Sequence, residues 1–323
     1  MSSSRESTRS LEVVTIGRVG VDLYPEQVGV PLADVRTFVK SLGGSATNVA
    51  VAAARLGRRS AVITKVGHDP FGEYVRTALA RFGVDTRWVG NDPSLRTPLV
   101  FCEIFPPDRF PVYFYREPKA PDMNIAPEDL DIAAIAAAPV FWTTGTGLSD
   151  EPSRAATLVA LEARGGRDFT IHDLDYRHHL WGSVDDARRW SREAVRRASV
   201  VVGNGEEVEV ATGTRDAVAG AQALLDLGAK LAIVKRGHEG VYARSATEEL
   251  EVAPVEIKVL NGLGAGDAFG GALCHGLLAG WPLRRVLDVA NAAGAIVASR
   301  LACADAMPTL REIEDVLAKA VPS

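Results

Sequence analysis

Short apolar runs rich in β-branched residues alternate along the chain with longer segments in which apolar residues recur every three or four positions. The runs are apolar throughout rather than at every second position, which indicates strands buried on both faces. Because such strands belong to parallel sheets covered by helices, the pattern predicts an α/β fold with a mostly parallel central sheet flanked by helices. The predicted strands are residues 12–17, 60–65, 139–144, 168–173, 199–204 and 230–235, and the clearest helices are residues 45–56 and 71–82.

Two stretches interrupt this alternation, residues 20–38 and 97–116. Both have extended, Pro-punctuated patterns, and the second contains LVFCEIF and PVYFYR, separated by a Pro- and Asp-containing turn that is typical of a hairpin. We therefore predict a small β-sheet lid built from about residues 18–40 and 96–118. No internal repeat is present, so we expect one domain over residues 11–320, preceded by a flexible tail of residues 1–10.

The composition is that of an ordinary globular protein: 323 residues, of which 47% are hydrophobic and 24% charged. A formal net charge of −5 argues against a nucleic-acid partner, because that binding relies on cationic side chains that neutralise phosphates. The arginine-rich segment of residues 187–197 is interpreted as the solvated face of a helix.

Cysteine usage and apolar runs bear on the expected location. Cys102, Cys274 and Cys303 are too few and too scattered for a disulfide framework or a zinc site, so we expect small buried thiols in a reducing compartment. The start, MSSSRESTRS, lacks the apolar core of a signal peptide, and the apolar runs are too short to span a membrane. A cytoplasmic protein is expected.

The most informative motif is NGLGAGDAFGGALCHGLLAG, residues 261–280, in which alternating glycines lead to Asp267 at the start of an apolar helical run. One interpretation is structural, since Gly permits a tight helix entry and Asp complements the helix dipole. The alternative is an anion site formed by the free N–H groups of the helix start, with Asp267 beside it. A carboxylate repels a bound phosphate, so its presence there suits removal of a proton from an attacking hydroxyl, which is kinase chemistry.

Two other phosphate-binding modes are disfavoured, because the chain has neither GxxxxGK[ST] nor GxGxxG. A second Gly-rich element, KSLGGSATNVAVAAARLG, places Gly43 and Gly44 ahead of Asn48 on the first turns of a predicted helix. These glycines allow close approach of a ligand, and Asn48 offers the donor and acceptor that sugar hydroxyls need. The structural alternative is a capped helix packed tightly on the sheet.

Together the two elements resemble the signatures of the PfkB, or ribokinase-like, family of carbohydrate kinases. The resemblance covers roughly residues 11–320 and implies the ribokinase-like version of the fold, with a lid sheet that supports a homodimer. The C-terminal signature is matched by GAGD at residues 264–267, and the N-terminal one by Gly43, Gly44, Ala46, Asn48, Ala50, Gly57 and Gly67.

The resemblance also implies ATP and Mg²⁺ as cofactors and gives a role to each matching residue. Asp267 is the expected catalytic base, and the anion hole is expected from Gly264, Ala265 and Gly266. The expected sugar contacts are Asp22, Gly43, Gly44 and Asn48. The expected ATP contacts are Asn204, Lys235, Gly237, Gly240 and Asn291, and Glu207 is expected to organise Mg²⁺ through water.

One position departs from the family pattern. Many members have D-T-x-G-A-G-D, whereas this chain has Asn261 and Gly262 in place of Asp-Thr. The aspartate commonly helps to hold a monovalent cation, for which a neutral Asn carbonyl is a weaker ligand. We therefore expect Asn261 to be at most a weak cation ligand and do not expect strong activation by K⁺.

Two segments bear on the substrate. HDLDYRHHLW, residues 172–181, resembles the D-x-N-x-R-x-x-L-W segment of sugar-acid kinases, with Asp175 in place of Asn, and FYRE places Arg116 at the end of a lid strand. Arg116 and Arg177 are expected to bind a carboxylate, which a guanidinium group matches in a bidentate geometry. The structural alternative for Arg177 is an ion pair with Asp173 or Asp175 that holds the loop. With GRVGVDLYPEQ, these segments resemble the 5-dehydro-2-deoxygluconokinase branch of the family.

Several alternatives stay open at this point. The expected partners are a sugar acid and ATP, and 2-keto-3-deoxygluconate and fructose are alternative substrates within the kinase class. A non-catalytic sugar or nucleotide sensor belongs to another class, and Asp267 and Glu207 argue against it because a sensor needs no base. The histidine-rich segment also contains candidate metal ligands, although a strand followed by a turn would separate them: His172, Asp173, His178 and His179.

Overall fold

The computed structural model describes residues 10–320. The predicted N-terminal tail therefore lies outside the described residues, apart from its last residue. The described strands are β1 (Val13–Ile16), β2 (Gly20–Pro25), β3 (Phe38–Gly43), β4 (Ser60–Gly67), β5 (Val89–Asp92), β6 (Leu99–Cys102), β7 (Val112–Tyr115), β8 (Val140–Thr144), β9 (Thr170–Asp173), β10 (Val200–Asn204), β11 (Leu231–Lys235), β12 (Val241–Ser245) and β13 (Glu249–Val252).

Within the described part of the chain, helices lie in six of the twelve connections between these strands, and three more follow the last strand. They are α1 (Ser45–Arg55), α2 (Pro70–Arg81), α3 (Ile132–Ala137), α4 (Ser153–Arg164), α5 (Val184–Val195), α6 (Gly205–Thr212), α7 (Ala217–Asp226), α8 (Ala265–Leu278), α9 (Leu283–Ala298) and α10 (Leu310–Ala320). Among the described residues, no helix is both long and apolar enough to cross a membrane.

The main sheet has nine strands within the described part of the chain, in the order β13-β12-β11-β10-β9-β8-β1-β4-β5. Neighbouring strands from β11 to β5 run parallel, and β12 and β13 extend the sheet in antiparallel fashion. Every residue of β1 and β8 is buried, as expected for strands covered on both faces. The predicted α/β fold with a mostly parallel sheet is confirmed.

Small residues bring two helix starts together beside this sheet. A Cβ atom on Gly271 of α8 would lie 2.2 Å from the Cβ of Ala52 in α1, and one on Gly270 would lie 2.6 Å from the ring of Trp142. Such distances leave no room for a side chain, so α8 packs directly on α1 and on strand β8. The apolar helix of the GAGD motif is therefore a buried core element whose first turn is fixed next to that of α1.

The lid is a separate four-stranded sheet in the order β3-β2-β6-β7. Strands β6 and β7 pair antiparallel, which confirms the predicted hairpin, and β2 pairs parallel with β6. Strand β3 continues to Gly43, beyond the predicted limit of residue 40, because it leads directly into α1. Cross-strand pairing places Asp22, Val100 and Phe114 on the inner face and Leu23, Phe101 and Tyr113 on the outer face.

The arginine-rich helix α5 was interpreted as a solvated face, but two of its arginines bind the neighbouring helix α6. Arg188 Nε donates to the carbonyl oxygen of Val210 at 3.1 Å, and Arg192 Nε donates to that of Ala211 at 2.7 Å. These carbonyls lie in the last turn of α6, where helices lack internal donors. Two arginines therefore hold the C-terminal end of the neighbouring helix.

Candidate active site

A cavity of about 380 Å³ lies between the inner face of the lid and the main domain. Its walls come from the loop after β1, the lid strands, the first turns of α1 and α8, and the loop after β9. The polar residues that line it are Arg18, Asp22, Tyr24, Ser45, Asn48, Arg116, Arg177, His178, His179 and Asp267. Residues far apart in sequence thus converge at the carboxyl end of the parallel sheet, where ligands bind in folds of this type.

Asp267 lies in the first turn of α8 and is held by two donors from α1. Ser45 Oγ donates to Asp267 Oδ1 at 2.9 Å, and Asn48 Nδ2 donates to Asp267 Oδ2 at 2.8 Å. Burial raises the pKa of Asp267, against the opposing effect of the hydrogen bond from Asn48. The carboxylate is therefore oriented by its neighbours and made more basic by its surroundings, which suits a proton acceptor.

Gly264 precedes α8 in a left-handed conformation, with φ of 80°. A Cβ atom at this position would lie 2.5 Å from Cys303 Sγ, so both backbone conformation and space require glycine. The turn leaves the N–H groups of Gly264, Ala265 and Gly266 at the start of a 14-residue helix, where the helix dipole favours an anion. The three predicted anion-hole residues thus adjoin Asp267.

Gly43 and Gly44 allow other groups of the protein to come close to their backbone, not only a ligand. A Cβ atom on Gly43 would lie 1.9 Å from Asp22 Oδ1, and one on Gly44, where φ is 96°, would lie 2.4 Å from the carbonyl oxygen of Arg18. The expectation that both glycines make room for a ligand therefore needs correction for Gly43, whose space the Asp22 carboxylate takes. Gly44 also borders the cavity.

Asp22 projects from lid strand β2 into the cavity and accepts a hydrogen bond of 2.9 Å from the hydroxyl of Tyr24. Burial raises the pKa of Asp22 to about 6, and the negative charge of Asp267 adds to the rise. Asn48 Oδ1 is buried and has no hydrogen-bond partner among residues 10–320. Both groups offer acceptor atoms for a hydroxylated ligand in the cavity.

Three arginines line the same cavity. Arg116, at the end of β7, pairs with the fully buried carboxylate of Asp122. Arg177, in the loop after β9, pairs with Asp175 at 3.2 Å, and Arg18, in the loop after β1, pairs with Asp175 at 3.1 Å. The three guanidinium groups thus pair with two carboxylates, and the unmatched positive charge favours an anionic ligand.

The histidines of the segment from β9 to the loop after it lie in different places rather than around one point. His172 is buried in the sheet with its Nδ1 at 2.9 Å from Thr143 Oγ1, whereas the His179 ring stacks on Phe114 of the lid with 4.5 Å between ring centroids. Among the described residues, no three His, Cys, Asp or Glu side chains are placed to hold a metal ion directly.

The residues expected at the nucleotide lie beyond Asp267, outside the cavity under the lid. Lys235 ends β11, and its Nζ lies 3.8 Å from Asp173 Oδ1 and 3.2 Å from where a Cβ on Gly266 would be. Burial opposes the charge of Lys235, but the carboxylates of Asp173, Glu207 and Asp267 outweigh it and raise the pKa of the lysine. A cation therefore stands beside the glycine turn that opens α8.

Asn204 and Glu207 bind each other in a capping box at the start of α6. Asn204 Oδ1 accepts from the Glu207 N–H at 3.0 Å, and Glu207 Oε2 accepts from the Asn204 N–H at 2.7 Å. Their N-x-x-E spacing thus has a local structural explanation. Asn204 pairs with Lys235 in the β10–β11 register, which keeps this helix start near the lysine.

The remaining expected nucleotide contacts surround the antiparallel edge of the sheet. Gly237 and Gly240 form the turn between β11 and β12, both with positive φ. A Cβ atom on Gly240 would lie 2.0 Å from the carbonyl oxygen of Val252, whereas no atom lies within 4 Å of one on Gly237. Asn291 Nδ2 donates to the carbonyl oxygen of Ala253 at 2.8 Å. Gly237 is therefore the open position of this turn.

Asn261 is fully buried and uses both ends of its amide within the protein. Its Nδ2 donates to the carbonyl oxygen of Leu301 at 2.6 Å, and its Oδ1 accepts from the N–H of Leu263 at 3.0 Å. The side chain thereby joins the loop before α8 to the loop after α9.

Sequence reasoning did not assign a role to Arg18 or Thr146, and noted Asp175 as a departure from a pattern and as one possible partner of Arg177. Each lies two residues after the end of a strand, and the three strands β1, β8 and β9 are neighbours in the sheet. Thr146 Oγ1 donates to Asp175 Oδ2 at 2.7 Å, and Arg18 Nε donates to Thr146 Oγ1 at 2.8 Å. The available signal was a polar residue directly after a buried parallel strand.

Comparison with known proteins gives the class of this chain. Residues 10–310 match the model of the pfkB family carbohydrate kinases, so the chain belongs to this family. It is accordingly a carbohydrate kinase, a phosphotransferase with an alcohol group as acceptor.

Individual relatives are similar over nearly the whole length. A 5-dehydro-2-deoxygluconokinase of Photobacterium profundum is 36% identical over 321 residues, which cover 97% of this chain and 96% of the relative. A fructokinase of Vibrio cholerae O395, solved in fructose, ADP and calcium ion bound form, matches with a TM-score of 0.83 at 27% identity, over 95% of this chain and 99% of that one. A putative ribokinase II of E. coli, solved in complex with ATP and Mg²⁺, matches with a TM-score of 0.86 at 24% identity, over 96% and 99%. These likenesses confirm the ribokinase-like fold.

Proposed function

We propose that the chain is an ATP-dependent kinase that phosphorylates the primary hydroxyl of a keto-deoxy sugar acid, converting 5-dehydro-2-deoxy-D-gluconate to its 6-phosphate. The observation that carries the proposal is the placement of Asp267. Its carboxylate adjoins the glycine turn of α8 and borders a cavity that three arginines also line. The 5-dehydro-2-deoxygluconokinase of P. profundum, similar over 97% of this chain, supports the choice of acid.

The reaction begins with the sugar hydroxyl beside Asp267. Ser45 and Asn48 each hold one oxygen of the carboxylate, so the base needs no reorientation when it accepts the proton. As the hydroxyl oxygen bonds to the γ-phosphorus of ATP, its proton passes to Asp267 and the bond from that phosphorus to the β-phosphate oxygen breaks. ADP is the leaving group, and the sugar retains the phosphoryl group.

The developing negative charge faces two fixed partners. The N–H groups of Gly264, Ala265 and Gly266 point out of the start of α8, and the ammonium of Lys235 lies beside them. Glu207, whose carboxylate lies near Lys235, would hold Mg²⁺ through water, since Mg²⁺ prefers oxygen ligands and retains several waters. Bound Mg²⁺ supplies charge neutralisation for the ATP phosphates.

The sugar itself is held from two sides. Asn48 Oδ1, which lacks a partner among the described residues, is placed to accept a hydrogen bond from a sugar hydroxyl, as is the Asp22 carboxylate on the lid. Asp22 can engage the sugar only while strand β2 lies over the cavity. Substrate binding and lid position are therefore coupled in this proposal.

An acid rather than a neutral sugar is favoured by the cationic lining of the cavity. Arg116 pairs with Asp122, but Arg18 and Arg177 share the carboxylate of Asp175, which leaves one positive charge that a neutral sugar does not match. Fructose is the second candidate, because the V. cholerae relative is a fructokinase with fructose bound. 2-Keto-3-deoxygluconate remains the alternative acid.

ADP release measured against a panel tests the proposal. The panel contains fructose, ribose, gluconate, 2-keto-3-deoxygluconate and 5-keto-2-deoxygluconate. We expect the fastest turnover at low concentration with 5-keto-2-deoxygluconate. Sugar and nucleotide binding without ADP release from any substrate would instead indicate a sensor, and the best turnover with fructose would reassign the substrate.

The outer face of the lid supports a further part of the proposal, a homodimer through the lid. Phe101 on this face contacts Phe38 and Tyr115 edge to face, and Tyr115 is 62% exposed. Large exposed aromatic groups clustered on one sheet face are typical of an interface. Light scattering should give twice the monomer mass for the wild type and the monomer mass for Tyr115→Asp; a monomeric wild type would contradict the dimer.

A further inference from the structure

Asp175 serves two arginines at once. Its Oδ2 lies 3.1 Å from Arg18 Nη2, and its Oδ1 lies 3.2 Å from Arg177 Nη2. Asp175 is 3% exposed, and the two guanidinium groups lower its pKa although burial opposes this. One carboxylate between two permanent cations leaves an excess positive charge at this corner of the cavity.

Arg116 differs from this pair because it has a carboxylate of its own. Asp122 is fully buried, pairs with Arg116, and also accepts a hydrogen bond of 2.9 Å from the backbone N–H of Val19. The Arg116–Asp122 pair is therefore balanced in charge and ties the end of lid strand β7 to the loop after β1. Its arrangement is that of a connection between lid and main domain.

The unused hydrogen-bond donors of Arg18 face the cavity. Its Nε donates to Thr146 and one Nη2 hydrogen to Asp175, whereas its Nη1 makes no hydrogen bond to residues 10–320. Arg18 is only 5% exposed, yet it borders the cavity. The two partners fix the guanidinium plane and leave its outer edge, with one N–H on each Nη, free for a bidentate anion.

The backbone at Asp175 indicates that this arrangement is held by its surroundings. Asp175 has a φ of 25°, one of two positive φ values at non-glycine residues in the described part of the chain. Such a conformation is uncommon and persists where neighbouring contacts over-determine it. The contacts here are those from Arg18, Arg177 and Thr146.

We infer that Arg18 is the residue that binds the carboxylate of the acid substrate, and that Asp175 and Thr146 position its guanidinium group. The inference rests on the proposed function and adds to it a specificity residue outside the sequence motifs. Arg18 and Asp267 border the same cavity, so an open-chain sugar acid with its primary hydroxyl at Asp267 has its acid group, at the other end, for Arg18 to bind. Arg177, 43% exposed in its side chain, contributes charge at the mouth of the cavity.

Kinetics of Arg18→Met with one acid and one neutral sugar test this assignment. Asp175 keeps Arg177 and Thr146 as partners in the variant, so the buried carboxylate is not left alone. The KM for the acid should rise roughly ten- to a hundredfold, the value of a charge-assisted hydrogen bond, with little change in kcat. Arg18→Lys should restore part of the affinity, because Lys retains the charge without the fork.

Two controls separate binding of the acid from a structural role. Fructose lacks the carboxylate, so its KM should change less than threefold, and inhibition by gluconate should weaken while that by glucitol stays the same. Arg116→Met should instead lower the melting temperature and affect acid and neutral sugar alike, because it leaves Asp122 buried without its cation.

The outcomes distinguish failure of the inference from failure of the proposed function. If the wild type phosphorylates a sugar acid but Arg18→Met weakens acid and fructose equally, the assignment of Arg18 is wrong and the kinase proposal stands. If the wild type phosphorylates no sugar acid, the proposed function itself fails. Should Arg18→Met not fold, Arg18→Lys carries the test, and an unchanged KM for the acid would overturn the role of the fork.

Discussion

Asn48 Nδ2 donates a hydrogen bond of 2.8 Å to the carboxylate of Asp267, although 219 positions separate the two residues in the chain. This contact joins the two Gly-rich elements into one site. It exists because Gly271 lets α8 lie directly on α1, so that the first turns of both helices border the same cavity. The apolar run after the GAGD motif therefore positions the chemistry of the motif.

Replacing Asp267 by Asn should remove the base while keeping the size of the side chain. Loss of a general base costs typically 10²- to 10⁴-fold, so we expect kcat to fall by roughly that factor. Nucleotide affinity should stay within about threefold, since the anion hole consists of backbone N–H groups. Coupled ADP release and nucleotide titration measure both, and a variant with more than half the wild-type rate would show that Asp267 is merely a helix-start residue.

Lys235→Met should lower kcat through the loss of a cation beside the glycine turn. Removing one preorganised donor to developing charge costs about 10²- to 10³-fold, and we expect a loss in this range with saturating sugar. Lys230→Met is a matched control, because Lys230 precedes the same strand but forms an exposed pair with Asp168. Equal rates for the two variants would remove Lys235 from the site.

The raised pKa of Asp22 predicts that the stability difference between the wild type and an Asp22→Asn variant depends on pH. The pKa of Asp22 is raised to about 6 in the folded chain, above the value of about 3.9 for an unperturbed Asp. A group of this kind stabilises the fold at low pH, and the contribution is lost as the pH rises through 6. Asp22→Asn is neutral throughout, and Tyr24 can still donate to its amide oxygen.

The melting temperature of Asp22→Asn relative to the wild type should therefore be higher at pH 8 than at pH 5, without ligands present. Thermal unfolding of both proteins across this range measures the difference. A constant difference from pH 5 to pH 8 would mean that Asp22 titrates normally in the folded chain.

The hydrogen bonds of the Asn261 amide predict that the enzyme responds only weakly to potassium. Both ends of this amide are engaged, by Leu301 and Leu263, so the carbonyl is a poor ligand for a cation. Wild-type activity should change less than about twofold when K⁺ replaces a bulky organic cation, because hard cations are bound more strongly by carboxylates than by an amide oxygen that is already hydrogen-bonded. Asn261→Asp should increase this dependence, because a carboxylate facing the Leu301 carbonyl attracts a cation; a strong requirement for K⁺ in the wild type would contradict this prediction.

The sequence predicted the fold well because buried parallel strands are apolar on both faces and interrupt the helical pattern clearly. Strands β5, β12 and β13 escaped prediction. In β13, the edge strand, exposed Glu249 and Glu251 alternate with less exposed residues over only four positions, which resembles a loop in the sequence. Asp267 was accessible because its motif is local. The N-x-x-E motif was less decisive, since the same spacing serves as the capping box of α6.

The arginines show the limit of such prediction. Arg116 was identified from its position at the end of a lid strand, but its partner Asp122 depends on how the following loop folds back. Arg18 and Asp175 are 157 positions apart in the sequence. Their contact could be predicted only from the order of strands β1, β8 and β9 in the sheet. The sequence shows which polar residues follow each strand, but which of them pair with each other depends on the order of the strands in the sheet.

The ratio of kcat/KM for 5-dehydro-2-deoxygluconate to that for fructose tests the account most directly. Both molecules offer a primary hydroxyl to Asp267, but only the acid offers a carboxylate to the arginines of the cavity. A charge-assisted contact predicts a ratio of at least roughly ten to a hundred in favour of the acid. A ratio near one, or a preference for fructose, would contradict the assignment of this chain as a sugar-acid kinase.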